Sequence, residues 1–209
     1  TFARLSSGSE FEFGEVRISI LAPSIDLRNR FDTFGIGKND ASIVMKVQYR
    51  DAFIILAGDA EFASWGKITE EFPRTSLINF SGDALELSER DESTEQLNCQ
   101  VLKVSHHGSK HGSTLEYLER LTPGHVVIPA GSASWYGKHI KKWKNKFPHP
   151  LTTHILEVLN RRMKSYITGR DGHLLFGFTG SNRSRVQTLK KDPGTDGFRT
   201  ALKTTWKKI

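Results

Sequence analysis

Two short apolar runs that break off abruptly into polar, chemistry-bearing residues constrain this chain most. Residues 52–57, AFIILA, stop at Gly58-Asp59, and residues 99–104, CQVLKV, stop at Ser105-His106-His107-Gly108. Runs of this length, rich in Ile, Val and Leu, read as buried strands whose tips carry the polar residues. A third such run, HVVIPA, fills residues 125–130. Helical spacing separates them: residues 61–72 read as a helix, and residues 113–121 have an N-capping Ser113 and an apolar face. Residues 151–163 follow Pro150 and read as another helix. Upstream, residues 11–22 read as a strand or hairpin, residues 24–40 as a loop, and residues 42–49 as a strand joined to 52–57 by a tight turn at Arg50-Asp51. Residues 75–96 are polar and acidic and read as irregular. Residues 164–168 and 173–178 read as a final strand pair about a hairpin turn at Arg170-Asp171-Gly172. The order implies a layered α/β domain with helices covering a sheet.

Composition narrows the class further. With 37% hydrophobic and 25% charged residues in 209, the chain can bury a globular core. It contains no apolar run of about 18 residues, so a membrane span is not expected. No leader pattern is visible in these residues. The single cysteine, Cys99, excludes an internal disulfide framework or a Cys-rich zinc module, and its apolar surroundings read as core. A reducing compartment, the cytoplasm, is the expectation. The net charge of +7 is uneven: residues 181–209 hold eight Lys and Arg against two Asp, and Lys138, Lys141, Lys142, Lys144 and Lys146 surround Trp143. Such patches attract polyanions, nucleic acid first among them. The expected organisation is one domain over residues 1–179 and a basic extension over 180–209 that opens on a linker-like Gly-Ser-Asn-Arg-Ser-Arg stretch and ends in a helix.

Three segments carry the chemistry. At Gly58-Asp59, glycine permits a sharp turn and the carboxylate sits at a strand tip, where sheet proteins place site residues. At His106-His107, two imidazoles end a strand; imidazole binds metals and exchanges protons near neutrality, and adjacent side chains take different roles. At Phe147-Pro148-His149-Pro150, two prolines stiffen the loop that presents His149.

Together with Asn39-Asp40-Ala41-Ser42, with the Leu102-Lys103-Val104 strand leading into His106-His107-Gly108-Ser109, and with the closing Tyr166-Ile167-Thr168-Gly169-Arg170-Asp171-Gly172, these segments resemble the ComEC-like branch of the metallo-β-lactamase superfamily, the hydrolase domain of competence DNA-uptake proteins. The resemblance covers about residues 11–178, and its most specific element is His-His-Gly-Ser with the strand before it. It implies an αββα sandwich of mixed sheets covered by helices, of which this chain supplies mainly the second half. It further implies two divalent metal ions, zinc or manganese, with Asp59 bridging them, His107 a ligand of the second, and His106 placed to protonate or hold the leaving group. His149 would stand near the substrate. Asn39 falls where many members have a histidine ligand, and would hold a water or contact substrate; Lys103 and Ser109 are lesser substrate-side candidates.

The departure from the family is large. Its His-x-His-x-Asp-His motif, which supplies most ligands, is absent, and no histidine precedes His106. Asp59 with one or two histidines cannot hold a dinuclear zinc site, which wants about four ligands per ion. The resemblance thus implies a partner in the missing N-terminal half, on the same or a separate chain, and a fragment that is inactive alone. The expected activity of the whole is a metal-dependent phosphodiesterase, a nuclease first, attacking phosphorus with water ionised between the two metals. Lys141, Lys142 and Trp143 would hold backbone and bases of nucleic acid. Two rivals stand beside it: hydrolysis of small phosphodiesters, and a metal-free nucleic-acid-binding or regulatory module.

Overall fold

The computed structural model describes residues 5–30, 37–50, 52–71, 99–113, 118, 121, 123–130, 149, 152, 154–156, 163–178 and 184–189. Seven strands form one mixed sheet in chain order: β1 (Glu10–Phe13), β2 (Val16–Ala22), β3 (Val44–Tyr49), β4 (Ala52–Leu56), β5 (Cys99–Lys103), β6 (His125–Ile128) and β7 (Lys164–Ile167). The first four are antiparallel neighbours, and β4 through β7 run parallel. The alternation in 11–22 thus resolves into a hairpin. Tyr49 faces Ala52 across the expected turn, where Arg50 adopts a left-handed φ of 51°.

Alternation along the strands separates two faces. On one, Phe53, Ile55, Leu102, Val126 and Ile128 are fully buried with Trp65 and Ile68 of α2 (Phe62–Glu71) and with Leu118, Leu121 and Leu156 of the later helical segments. Burying such side chains is the main stabilising term, roughly 1.5–3 kcal/mol for each. Trp65 adds a directional tie, its Nε1–H donating to the Gly112 carbonyl at 3.0 Å. Cys99 lies inside this core, and burial pushes its thiol up to about 12, which suits packing rather than nucleophilic chemistry.

The other face is also apolar yet keeps solvent access. Phe11 pairs with Ile18, Ile18 with Val47, Val47 with Ile54, and Ile54 with Val101. Ile18, Val47 and Ile54 are half-buried, and Phe11 and Phe13 on the edge strand are 38% and 65% exposed. At the far end of the face a second, two-stranded sheet begins: β8 (His173–Phe178) pairs antiparallel with β9 (Ser184–Leu189). Phe176 of β8 meets His125 of β6 and Tyr166 of β7 edge-on, with ring centroids 5.6 and 6.1 Å apart.

Three sequence readings change. Residues 164–168 and 173–178 do not pair with each other. Lys164–Ile167 extends the sheet parallel to β6, whose edge is open to it, while a short helix, α3 (Thr168–Asp171), and the left-handed Gly172 (φ 81°) carry the chain away to β8. The Asp171 carboxylate accepts the Ile167 N–H at 2.8 Å and so ends β7. The strand paired with β8 comes instead from 184–189, part of the stretch read as linker and tail. The expected loop at 24–40 contains α1 (Ile25–Asn29), capped by the Ser24 hydroxyl accepting the Leu27 N–H at 3.0 Å, and a 3-10 turn at Lys38–Ala41. The irregular stretch at 75–96, the basic cluster with Lys141, Lys142 and Trp143, and the final residues 190–209 lie outside the described residues.

Candidate active site

The polar residues gather where the parallel strands β4, β5 and β6 end, the edge at which open α/β sheets collect ligands. Gly58 makes the turn after β4 at φ 53°, and a Cβ there would stand 2.8 Å from the Ile43 carbonyl oxygen, so no other residue fits. The Gly58 carbonyl accepts the His106 N–H at 3.1 Å and the Lys103 ammonium, and the Ser105 hydroxyl donates to the Ala60 carbonyl. These bonds fasten the tip of β4 to the tip of β5.

His106 and His107 follow at φ 44° and 53°, both left-handed. Two consecutive side-chain-bearing residues in this region cost on the order of 1–3 kcal/mol each and persist only where surrounding bonds impose them. The imposed geometry separates the imidazoles, with ring centroids 6.4 Å apart. The His107 Nδ1–H donates to the Pro129 carbonyl at 2.7 Å, which places the lone pair on Nε2, and that atom stands 3.8 Å from Asp59 Oδ1. Lys103 Nζ lies 3.9 Å from the same oxygen. Partial burial lowers the Lys103 pKa and the Asp59 charge opposes that shift. Asp59, Lys103 and His107, named from sequence, therefore form one group.

His106 belongs to a second group. Its Nδ1 is 2.7 Å from Glu61 Oε1, and the Asn39 side-chain amide donates to the same oxygen at 3.2 Å. Asn39 is held there by its neighbour: the Asp40 carboxylate accepts the Ser64 N–H at 3.1 Å, pinning the 3-10 turn to α2. The sequence reading did not single out Glu61. The available signal was its place two residues after Asp59, immediately before the helix expected over 61–72. His149 joins the site through its backbone, its N–H donating to the Gly108 carbonyl at 2.9 Å. Ser109 is buried, and its hydroxyl accepts the His111 N–H at 3.4 Å, the geometry of a turn cap. Lys141, Lys142 and Trp143 are not among the described residues.

The donors fit a metal in part. A tetrahedral ion bonded to both an imidazole nitrogen and a carboxylate oxygen holds them about 3.4 Å apart, so Asp59 Oδ1 and His107 Nε2, 3.8 Å apart, come within a few tenths of an ångström of that spacing. Among the described residues no group of three His, Cys, Asp or Glu side chains is placed to hold an ion, so these residues do not make up a dinuclear centre.

No protein-family model matches the chain. It is distantly similar to ComE operon protein 3 of Bacillus subtilis (strain 168), 24% identical over 160 residues, which take in 76% of this chain and 16% of that protein. The chain thus spans less than a fifth of the relative it matches.

Proposed function

We propose that this chain is the second half of a metallo-β-lactamase-like domain, and that the whole domain is a metal-dependent phosphodiesterase acting on nucleic acid. One observation carries the reading: Asp59, Lys103 and His107 converge at the ends of parallel strands, beside a sheet face that is apolar yet solvent-accessible. Apolar sheet faces are buried in stable domains, and here β8 and β9 begin a second layer at one end of it. A first half packed along the remainder would bury Ile18, Val47 and Ile54 and bring further donors to Asp59. The distant similarity to ComE operon protein 3 supports the same reading.

In this reading Asp59 and His107 hold metal together with ligands from the first half. Two zinc or manganese ions would activate water and offset charge on the phosphoryl oxygens. The chain's own residues do the rest. Pro129 fixes His107 in the tautomer that presents Nε2. Lys103, half-buried, offers positive charge to a phosphoryl oxygen in a setting that strengthens it. His106, in its imidazolium form, keeps its Nδ1 proton hydrogen-bonded to Glu61 and gives the Nε2 proton to the leaving oxygen, returning to the neutral Nδ1–H ring. The basic residues at 138–146 and 181–208 hold the nucleic-acid backbone.

A second reading is favoured by one contact. The Lys103 ammonium is paired with Asp59, so a cation of the protein's own already serves that carboxylate, as a metal-free phosphate-binding module would have it. Cleavage of single-stranded DNA and of bis(p-nitrophenyl) phosphate by the polypeptide extended N-terminally along its gene separates the readings. The nuclease is expected to cleave DNA, to lose activity to a chelator, and to bind DNA with an affinity that falls steeply with salt. Cleavage of the small diester with salt-insensitive, weak DNA binding would replace the substrate. DNA binding without cleavage under any divalent metal would leave the binding module.

A further inference from the structure

Glu61 occupies the residue before α2, and its carbonyl accepts the Trp65 N–H at 3.1 Å, so it stands at the N-terminal cap of that helix. A capping carboxylate there commonly accepts amide hydrogens of its own first turn. Glu61 Oε1 instead meets His106 Nδ1 at 2.7 Å, with both side chains less than a quarter exposed. Three polar atoms converge: Nδ1, Oε1 and Asn39 Nδ2, the last at 3.2 Å from the oxygen and 3.3 Å from the ring nitrogen. An amide Nδ2 only donates and an ionised carboxylate only accepts. The short Nδ1 to Oε1 contact therefore needs its proton on Nδ1, and Asn39 donates to the carboxylate beside it.

We infer that Glu61 is a positioning residue that fixes His106 in the Nδ1–H form and turns Nε2 into its working atom, with Asn39 holding the carboxylate in place. The two histidines are then set by unlike partners, a carboxylate for His106 and the Pro129 carbonyl for His107. Both present Nε2, but only His106 has an anion behind it, which is the arrangement that orients a proton-transferring imidazole. The left-handed backbone at both positions is what lets adjacent rings find partners on different segments, Glu61 just before α2 and Pro129 just after β6. This assignment of Asn39 differs from the water- or substrate-holding role its place in the family pattern implies.

The inference deepens the proposed hydrolase site and rests on that reading for its catalytic meaning, but its test does not require activity. The nitrogen spectrum of the 209-residue chain, recorded above the histidine titration range and assigned with His106→Gln, distinguishes a protonated from an unprotonated ring nitrogen. The wild-type chain is expected to show His106 protonated at Nδ1. Glu61→Met removes the acceptor at similar volume, and His106 is expected to shift to a majority of the Nε2–H form that unconstrained imidazole favours. Glu61→Gln retains an acceptor oxygen, and with Asn39 donating to it the Nδ1–H form is expected to persist. An unchanged tautomer in the methionine variant, or its loss in the glutamine variant, overturns the inference. In the N-terminally extended protein, Glu61→Met is expected to lower kcat by roughly 10–100-fold with KM nearly unchanged. If the tautomer shifts and kcat does not, the positioning role stands and the proton-donor role of His106 falls.

Discussion

Substituting Asp59 by alanine is expected to lower phosphodiester turnover of the N-terminally extended protein by about 10³-fold or more, beyond the 10–100-fold typical of outer-shell partners. Asp59 Oδ1 is the atom on which His107 Nε2 and Lys103 Nζ converge, at 3.8 and 3.9 Å. In the proposed hydrolase, removing it takes away a metal ligand, and it leaves the Lys103 ammonium without the counter-charge of Asp59. Folding is expected to survive, because the Asp59 side chain is 40% exposed and its ion pair is of the kind worth ~0–1 kcal/mol. Gly58, whose carbonyl ties β4 to β5, is untouched by the change. Turnover and thermal midpoint, measured together, check this. Near-wild-type turnover in a folded Asp59→Ala protein would sink the hydrolase reading.

The largest effect on stability is expected from Phe53→Ala, which should cost about 3–5 kcal/mol. Phe53 is 1% exposed and belongs to the core cluster that includes Trp65 and Ile68 of α2, and the Lys46 ammonium sits 4.6 Å from its ring centroid. Truncation leaves a cavity among residues that belong to a rigid sheet and cannot collapse into it, and it strips the half-buried Lys46 of its aromatic neighbour. Burial already lowers the pKa of Lys46. Since a domain of this kind is stable by only about 5–15 kcal/mol, the variant should unfold at a much lower denaturant concentration with little change in slope. A loss below about 1 kcal/mol, well under the range for buried aromatics, would show that Phe53 is not part of a packed core.

Strand tips were legible in the sequence because the run FIILA stays apolar until Gly58-Asp59, and CQVLKV, interrupted only by Gln100 and Lys103, gives way to Ser105-His106-His107, where the chemistry begins. Asp59 and the His106-His107 pair could be named from that pattern, and the structure brings Asp59 and His107 together. Glu61 could not, because a single acidic residue at a helix start is more often a cap than a partner, and its role depends on a histidine 45 residues away. The hairpin expected about Arg170-Asp171-Gly172 failed for a related reason. The turn signal was real, since Asp171 and Gly172 do redirect the chain. Local turn chemistry does not say which edge a strand will join, however, and the β6 edge took Lys164–Ile167. Strand β9 was missed because Ser184–Leu189 holds only two apolar residues, Val186 and Leu189, three apart and so without a strand's alternation, in a basic, linker-like context. The solvent-accessible apolar face was invisible until register was known. VMKVQY and AFIIL read alike as strands, and only the pairing of Val47 with Ile54 and of Ile18 with Val47 shows that their half-buried residues share one side.

That face and the partial donor set make one joint claim, that this chain holds part of a metal site completed by a first half. Metal content, measured by plasma mass spectrometry on the 209-residue chain and on the N-terminally extended polypeptide, tests it most directly. About two zinc or manganese ions are expected per extended molecule, as a two-metal hydrolase requires, and almost none on the chain alone. An extended polypeptide that carries no metal, or a 209-residue chain that carries the full complement by itself, would contradict it.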